Sequence, residues 1–168
     1  MQGIFSQTYT GYNVIILDSG SNDGSVEYLR SLNRENILIY DTDKRLSIEE
    51  NWGRITSIPK SEYMTITGQD DVLYPEFLEE VNELISANPS ASLWHTHFDY
   101  IDSAGKLIKT CVPMPATLTL EELLTRFLEN KIDLMGTGYV MRSSDYDRLE
   151  GIPVKYPSLL FADFEIWF

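Results

Sequence analysis

A strand–helix–strand unit near the start of the chain limits the fold more than any other feature. "YNVIIL" (Tyr12 to Leu17) is a β-branched run that ends at Asp18 in a Gly/Ser/Asn cluster, the pattern of a buried strand entering a loop. "SVEYLRSL" follows with Val26, Leu29 and Leu32 on one helical face, and "NILIY" reads as a second strand. Two strands joined through a helix pair in parallel, because a parallel pair needs a crossover of that length.

The alternation continues. Ser47 and Glu50 in "SIEE" make a capping box that opens a helix with Ile48, Trp52, Ile55 and Ile58 as its apolar stripe, stopped by Pro59. "EYMTIT" is a third strand and delivers the chain to Gln69, Asp70 and Asp71. Pro75 suits a first helical turn, and Phe77, Leu78, Val81, Leu84 and Ile85 keep helical spacing up to "NPS". "ASLWHTHFDYI" is expected to be one strand, turning through "DSAGK" into "LIKTCV". Thr119 and Glu122 form a second capping box, with Leu120, Leu123, Leu124, Phe127 and Leu128 expected to face inward. "GTGYVMR" is strand-like, its glycines allowing close backbone approach. The expected class is α/β, with a mostly parallel central sheet flanked by helices and a small antiparallel element.

Composition narrows the function. At 168 residues and a formal charge of −13, the chain can bury a core but offers no basic face for nucleic acid or anionic lipid. Cys111 is the single cysteine, so no intrachain disulfide forms and a thiol-ligated zinc site is disfavoured; a reducing compartment fits. No apolar run approaches the roughly 20 residues that span a bilayer, and "MQGIFSQTYTGYN" lacks the pattern of a signal peptide.

Ligands of an open α/β sheet bind beyond the carboxyl ends of its strands. Two acidic loops occupy that position, Asp18 to Gly24 and Gln69 to Asp71. Adjacent carboxylates such as Asp70 and Asp71 repel unless water, a donor or a cation offsets them. Oxygen-rich acidic loops suit Mg²⁺ or Mn²⁺ with positions open to phosphate oxygens, and they equally suit solvated turns and helix caps. "LDSGSNDGSVE" is neither a dinucleotide fingerprint nor an EF-hand loop, since its glycines fall at the wrong positions, and there is no P-loop lysine.

Taken in series, "NVIILDSGSNDGSVEYL", "ENWGRITSIPKSEYMTITGQDDVLYPEFLEEV", "GTGYVMRSSDYDRLEGIP" and "FADFEIW" resemble the family 2 glycosyltransferases of the GT-A (nucleotide-diphospho-sugar transferase) fold, over essentially the whole chain. The family's first acidic motif is matched by Asp18, Gly20, Ser21, Asp23 and Gly24, its helix asparagine by Asn51, its Asp-x-Asp element by "GQDD" and its late acidic pair by Ala162 and Asp163. The resemblance implies inverting transfer of a sugar from a nucleotide-diphosphate donor (UDP or another) to a glycan or lipid-linked acceptor in bacterial cell-surface polysaccharide assembly. It implies Asp71 and Asp70 as ligands of Mg²⁺ or Mn²⁺, with Asp70 also facing the donor. Asp18, Ser21, Asp23 and Asn51 would contact the donor, and Asp163 would be the catalytic base. Glu165 is the alternative base: it shares the side of Asp163 in a strand but not in a helix.

Ser19, Gly68 and Ala162 stand where the family carries carboxylates. The resemblance also implies a single catalytic domain, residues 1–168, lacking the family's first strand and its C-terminal acceptor segment, weakly active or inactive on its own, and cytoplasmic or peripheral at the inner membrane face. Two other readings fit the same residues: a degenerate, non-catalytic nucleotide-sugar-binding module, and an interaction domain whose acidic face takes a basic partner. His95 and His97 could face the site or be structural, and Trp52 and Trp94 could be core residues or sugar-stacking platforms.

Overall fold

The computed structural model describes residues 2–154, 159 and 162–167. The opening unit forms as expected. β1 (Val14–Leu17) and β2 (Ile37–Tyr40) pair in parallel, from Val14 opposite Ile37 to Leu17 opposite Tyr40. α2 (Ser25–Ser31) connects them and buries Val26. A short helix, α1 (Gln2–Phe5), precedes β1.

α3 (Ile48–Gly53) starts at Ser47, whose side chain accepts the Glu50 N–H while the Glu50 carboxylate accepts the Ser47 N–H. The helix tightens into a 3₁₀ turn, Arg54–Ser57, which buries Ile55. Lys60 closes the turn by donating to the carbonyls of Ile55, Thr56 and Ile58, and it pairs with Asp147 at 3.0 Å. These carbonyls would otherwise lack partners at the end of a helix.

The second sheet departs from the expected mostly parallel arrangement. β3 (Tyr63–Thr65), β4 (Leu93–His95) and β7 (Tyr139–Arg142) form it in the order β3-β7-β4, with β7 antiparallel to both neighbours. Among the described residues only β1 and β2 pair in parallel. β3 and β4, linked by α4 (Phe77–Ala87), run in one direction but leave a slot between them. β7 fills that slot from the opposite direction, and Tyr139, Val140 and Met141 are all buried there. Because successive side chains leave a strand on opposite faces, Val140 joins Phe77, Val81 and Trp94 on one face. Met141 joins Ile55 and Tyr146 of α6 (Ser143–Arg148) on the other.

α4 begins at Phe77, so Pro75 lies in the turn ahead of the helix and not in its first turn. The stretch expected as one strand is two, β4 and β5 (Asp99–Ile101). Phe98 exchanges bonds with Cys111, its N–H donating to Sγ and its carbonyl accepting the Cys111 N–H, and this shifts the chain from pairing with β7 to pairing with β6 (Leu107–Thr110). The Asp102 carboxylate accepts the N–H groups of Ala104 and Lys106 and closes the hairpin.

α5 (Leu120–Leu128) carries the expected capping box between Thr119 and Glu122, but of the expected inward face only Leu123 and Phe127 are half-buried. Leu120, Leu124 and Leu128 are exposed, and none of the helix's residues is fully buried. The apolar face is thus covered along the edge of Leu123 and Phe127 and open along the stripe of Leu120, Leu124 and Leu128. α7 (Ala162–Trp167) ends the described residues, and Ile166 packs against the cluster of Ile55, Met141 and Tyr146. Among the described residues no helix is long and apolar enough to cross a membrane.

Candidate active site at the carboxyl ends of β1 and β3

Leu17, at the end of β1, and Met64 and Ile66, in and just beyond β3, pack on the same cluster, so both acidic loops leave one core. In the first loop the Asp18 carboxylate accepts the N–H groups of Gly20 at 2.8 Å and Ser21 at 2.9 Å through one oxygen. Burial by itself would raise the Asp18 pKa; the bonds from Ser21 and Gly20 outweigh it and hold the carboxyl below its ordinary range. Gly20 has φ +84°, and a Cβ there would lie 2.7 Å from the Lys44 carbonyl carbon. Only glycine combines that conformation with so close an approach, and it brings the loops after β1 and β2 into contact. Asp23 accepts the Ser25 N–H at the start of α2, and bonds from Ser25 lower its pKa; Ser21 and Asp23 are both exposed.

Asn51 faces the strand end. Its amide donates to the Leu17 carbonyl at 3.2 Å, and its oxygen accepts from Arg54 at 2.9 Å. Both ends of the side chain expected to touch the donor are therefore engaged by the protein. Arg54 also donates to the Asp18 carbonyl at 2.8 Å and to the Tyr40 carbonyl at 2.7 Å. Motif reading missed Arg54. The signal available was its spacing, since three residues from Asn51 places it on the same helical face.

In the second loop, Asp71 accepts the Gly68 N–H at 3.0 Å. A Cβ built on Gly68 would lie 2.8 Å from Asp70 Oδ1 and 2.8 Å from Asp71 Oδ2. Two carboxylate oxygens thus converge over a residue with no side chain, and a carboxylate at position 68 would collide with both in this conformation. Asp70 is exposed and Asp71 half-buried. Among the described residues no three His, Cys, Asp or Glu side chains cluster as a metal site. Mg²⁺ commonly takes one or two carboxylates and fills its other positions with water and phosphate, so the Asp70–Asp71 pair fits such an ion.

The loop is fastened at its far side. Tyr74 donates its hydroxyl to Asp99 at 2.7 Å, a bond that raises the Tyr74 pKa and lowers that of Asp99. Buried Gln7 donates to the carbonyls of Tyr74 and Gly3 and accepts the Leu78 N–H at the start of α4. Gln7 carries no motif signal; its partner Leu78 lies 71 positions away.

His95 stacks on Tyr139 with ring centroids 4.1 Å apart, and its Nδ1 is buried with no hydrogen-bond partner. Burial, and then the neighbouring His97, lower its pKa to about 4, so it is neutral near pH 7. His97 Nε2 accepts the Met114 N–H at 2.8 Å. Trp94 is a core residue, 4% exposed. At the chain's end, Asp163 and Glu165 lie on α7, so these positions do not share a face; Glu165 is exposed, and the side chain of Asp163 lies outside the described residues.

The chain is thus an α/β protein with acidic loops at the carboxyl ends of β1 and β3, the place where ligands of open α/β sheets bind. The chain belongs to glycosyl transferase family 2, whose description it matches over residues 1–149. It is also similar to "Glycosyltransferase GlyG" of Streptococcus pneumoniae serotype 4 (strain ATCC BAA-334 / TIGR4), at 26% identity over 109 residues, which is 62% of this chain and 36% of that protein. The match thus spans about a third of that relative's length.

Proposed function

We propose that this chain is the catalytic core of an inverting glycosyltransferase that moves a sugar from a nucleotide-diphosphate donor to the hydroxyl of a glycan or lipid-linked acceptor. The observation that carries the reading is the convergence of Asp70 and Asp71 over Gly68 at the end of β3, in a chain of this family. Asp71, with Asp70, would hold Mg²⁺ or Mn²⁺, and such a cation, when bound, offsets charge on the departing diphosphate. Asp18, Ser21 and Asp23 line the donor end, with Asn51 holding the strand behind them. Asp163 is the proposed base. It takes the acceptor's proton as the hydroxyl oxygen bonds to the anomeric carbon, while the bond from that carbon to the phosphate oxygen breaks on the opposite face. Assembly of a bacterial cell-surface polysaccharide, on the cytoplasmic side of the inner membrane, is the setting proposed for it.

Titration calorimetry with UDP, GDP, CDP and dTDP, with and without MnCl₂, tests the reading. One nucleotide should bind in a Mn²⁺-dependent manner, and Asp71→Asn should weaken it at least about tenfold. Binding that ignores both Mn²⁺ and Asp71→Asn would refute the metal assignment. Asp163→Ala should abolish turnover while leaving donor binding intact; unchanged turnover would refute the base assignment, and a wild type that binds donor without turning it over would favour a non-catalytic binding module.

A further inference from the structure

We propose that Arg54 is a positioning residue of the donor site, acting through Asp18. The proposal rests on the nucleotide-binding reading above and adds to it the device that sets where Asp18 stands. Arg54 sits where α3 passes into its 3₁₀ turn, and its guanidinium spans the ends of both parallel strands. One terminal nitrogen donates to the Asp18 carbonyl and to Asn51 Oδ1, the other to the Tyr40 carbonyl. Asn51 completes the brace by donating to Leu17, the residue before Asp18. Three consecutive features of the donor loop are thereby tied to α3: the end of β1, the main chain of Asp18 and the adjoining end of β2.

Arg54 is half-buried, and the three oxygens it donates to, those of Asp18, Asn51 and Tyr40, are all neutral. No carboxylate lies within ion-pair distance of it among the described residues, in a chain with 26 acidic residues. A partly desolvated guanidinium bonded to neutral carbonyls is an expensive way to satisfy them, since neutral donors do so at lower cost. What it supplies is a planar fork that can bridge two strand ends at fixed separation, which lysine and glutamine cannot do. Its geometry carries directly to the carboxylate. The Asp18 side chain is held by the N–H groups of Gly20 and Ser21, so displacing the Asp18 main chain displaces the whole turn. The loop has little freedom to recover, because Gly20 lies against the Lys44–Arg45 backbone and Leu46 donates to the Ser19 carbonyl.

A double-mutant cycle on nucleotide affinity, measured by calorimetry with MnCl₂ and whichever of UDP, GDP, CDP or dTDP binds the wild type, tests the proposal. Asp18→Asn retains an acceptor for the turn while removing the carboxylate. Arg54→Met should weaken binding about tenfold, Asp18→Asn by a similar factor, and the double variant no more than either alone. Arg54→Lys, which keeps the charge but not the fork, should show the same loss as Arg54→Met; it stands in should the methionine variant fail to fold by circular dichroism. Multiplicative losses in the double variant would overturn the proposal, because a general structural defect adds to the loss of Asp18. Unchanged affinity in the Arg54 variants, or full rescue by lysine, would also overturn it. A wild type that binds none of the four nucleotides would instead bring down the nucleotide-binding reading itself.

Discussion

The sheet β3-β7-β4 and the excursion β5–β6–α5 are neighbours in sequence, carry local signals of equal strength, and are built differently. Trp94, Val140 and Met141 in the sheet are at most 8% exposed, whereas Leu107, Ile108 and Leu128 in the excursion are at least 55% exposed. Both regions have well-formed elements. The capping box of α5 is as complete as that of α3, and the β5–β6 hairpin is closed by a turn held at Asp102. Local chemistry therefore decides that an element forms, and it says nothing about what covers it. The sheet and the loops it supports form the framework of the candidate site; the excursion reaches it through Asp99, which accepts the Tyr74 hydroxyl.

The largest effect that separates the two regions is expected at Trp94. Its ring lies among Phe77, Val81 and Val140, meets Tyr63 edge-on at 5.5 Å, and is covered by the Arg142 guanidinium at 4.9 Å. Trp94→Ala should lower unfolding stability by about 3–5 kcal/mol, read from urea denaturation. A loss no larger than that of a hairpin leucine would erase the distinction between core and excursion.

His95 marks the seam between the regions and should make it sensitive to acid. Its pKa in the folded protein is lowered from 6.5 to about 4, chiefly by burial. Above pH 6.5 neither state binds the proton and nothing is lost. As pH falls through 6.5 the unfolded chain takes up a proton that the folded chain refuses, and stability declines until about pH 4, where both are protonated. The full decline is about 3 kcal/mol as an order of magnitude. Carboxylates whose pKa values are lowered by folding, such as Asp18 and Asp99, act in a different window: their contribution is present above their ordinary values and disappears below them. In His95→Gln the decline between pH 6.5 and about 5 should vanish while the loss in the carboxylate range below it remains. Denaturation midpoints across pH would show it, and an unchanged decline would mean that His95 is not kept neutral by its surroundings.

What was legible in the sequence follows the same division. Strand–helix–strand order, both capping boxes, the hairpin and the acidic loops were readable because each rests on contacts within a few residues. The antiparallel β7 was not, since "GTGYVMR" reads as a strand whichever neighbours it finds, and only the slot between β3 and β4 fixes its direction. The break at Phe98 depends on Cys111, 13 residues on, and the fastening of the Asp70–Asp71 loop depends on Gln7. Arg54 lay between: its spacing from Asn51 was visible, but its partners at the ends of β1 and β2 were not.

The paired capping boxes give a sharper comparison at smaller cost. Ser47→Ala and Thr119→Ala each remove one side-chain acceptor from a helix start, worth about 1 kcal/mol. α3 runs on into buried Ile55, so the Ser47 variant should show its loss in global unfolding. α5 buries no residue fully, so the Thr119 variant should show its loss as faster amide exchange within the helix, with little change in the global midpoint. Equal global losses would mean that the two helices open together.

The smallest expected effect is also the most direct probe of the excursion. Leu120, Leu124 and Leu128 recur every four residues and make one stripe along α5, and Leu124, the least exposed of the three, is still 42% exposed. In a covered helix, a leucine at such a position would cost 2–5 kcal/mol on truncation, as buried side chains do. Here the side chain gains little water-free contact on folding, and serine has only a modestly lower helix propensity. Leu124→Ser should therefore change stability by no more than about 0.5 kcal/mol, the range of ordinary surface substitutions. Urea denaturation of this variant beside Trp94→Ala places the two regions on one scale. A cost for Leu124→Ser above about 2 kcal/mol would mean that the stripe is packed in solution, and the contrast between a buried sheet and a helix with an open stripe would have to be abandoned.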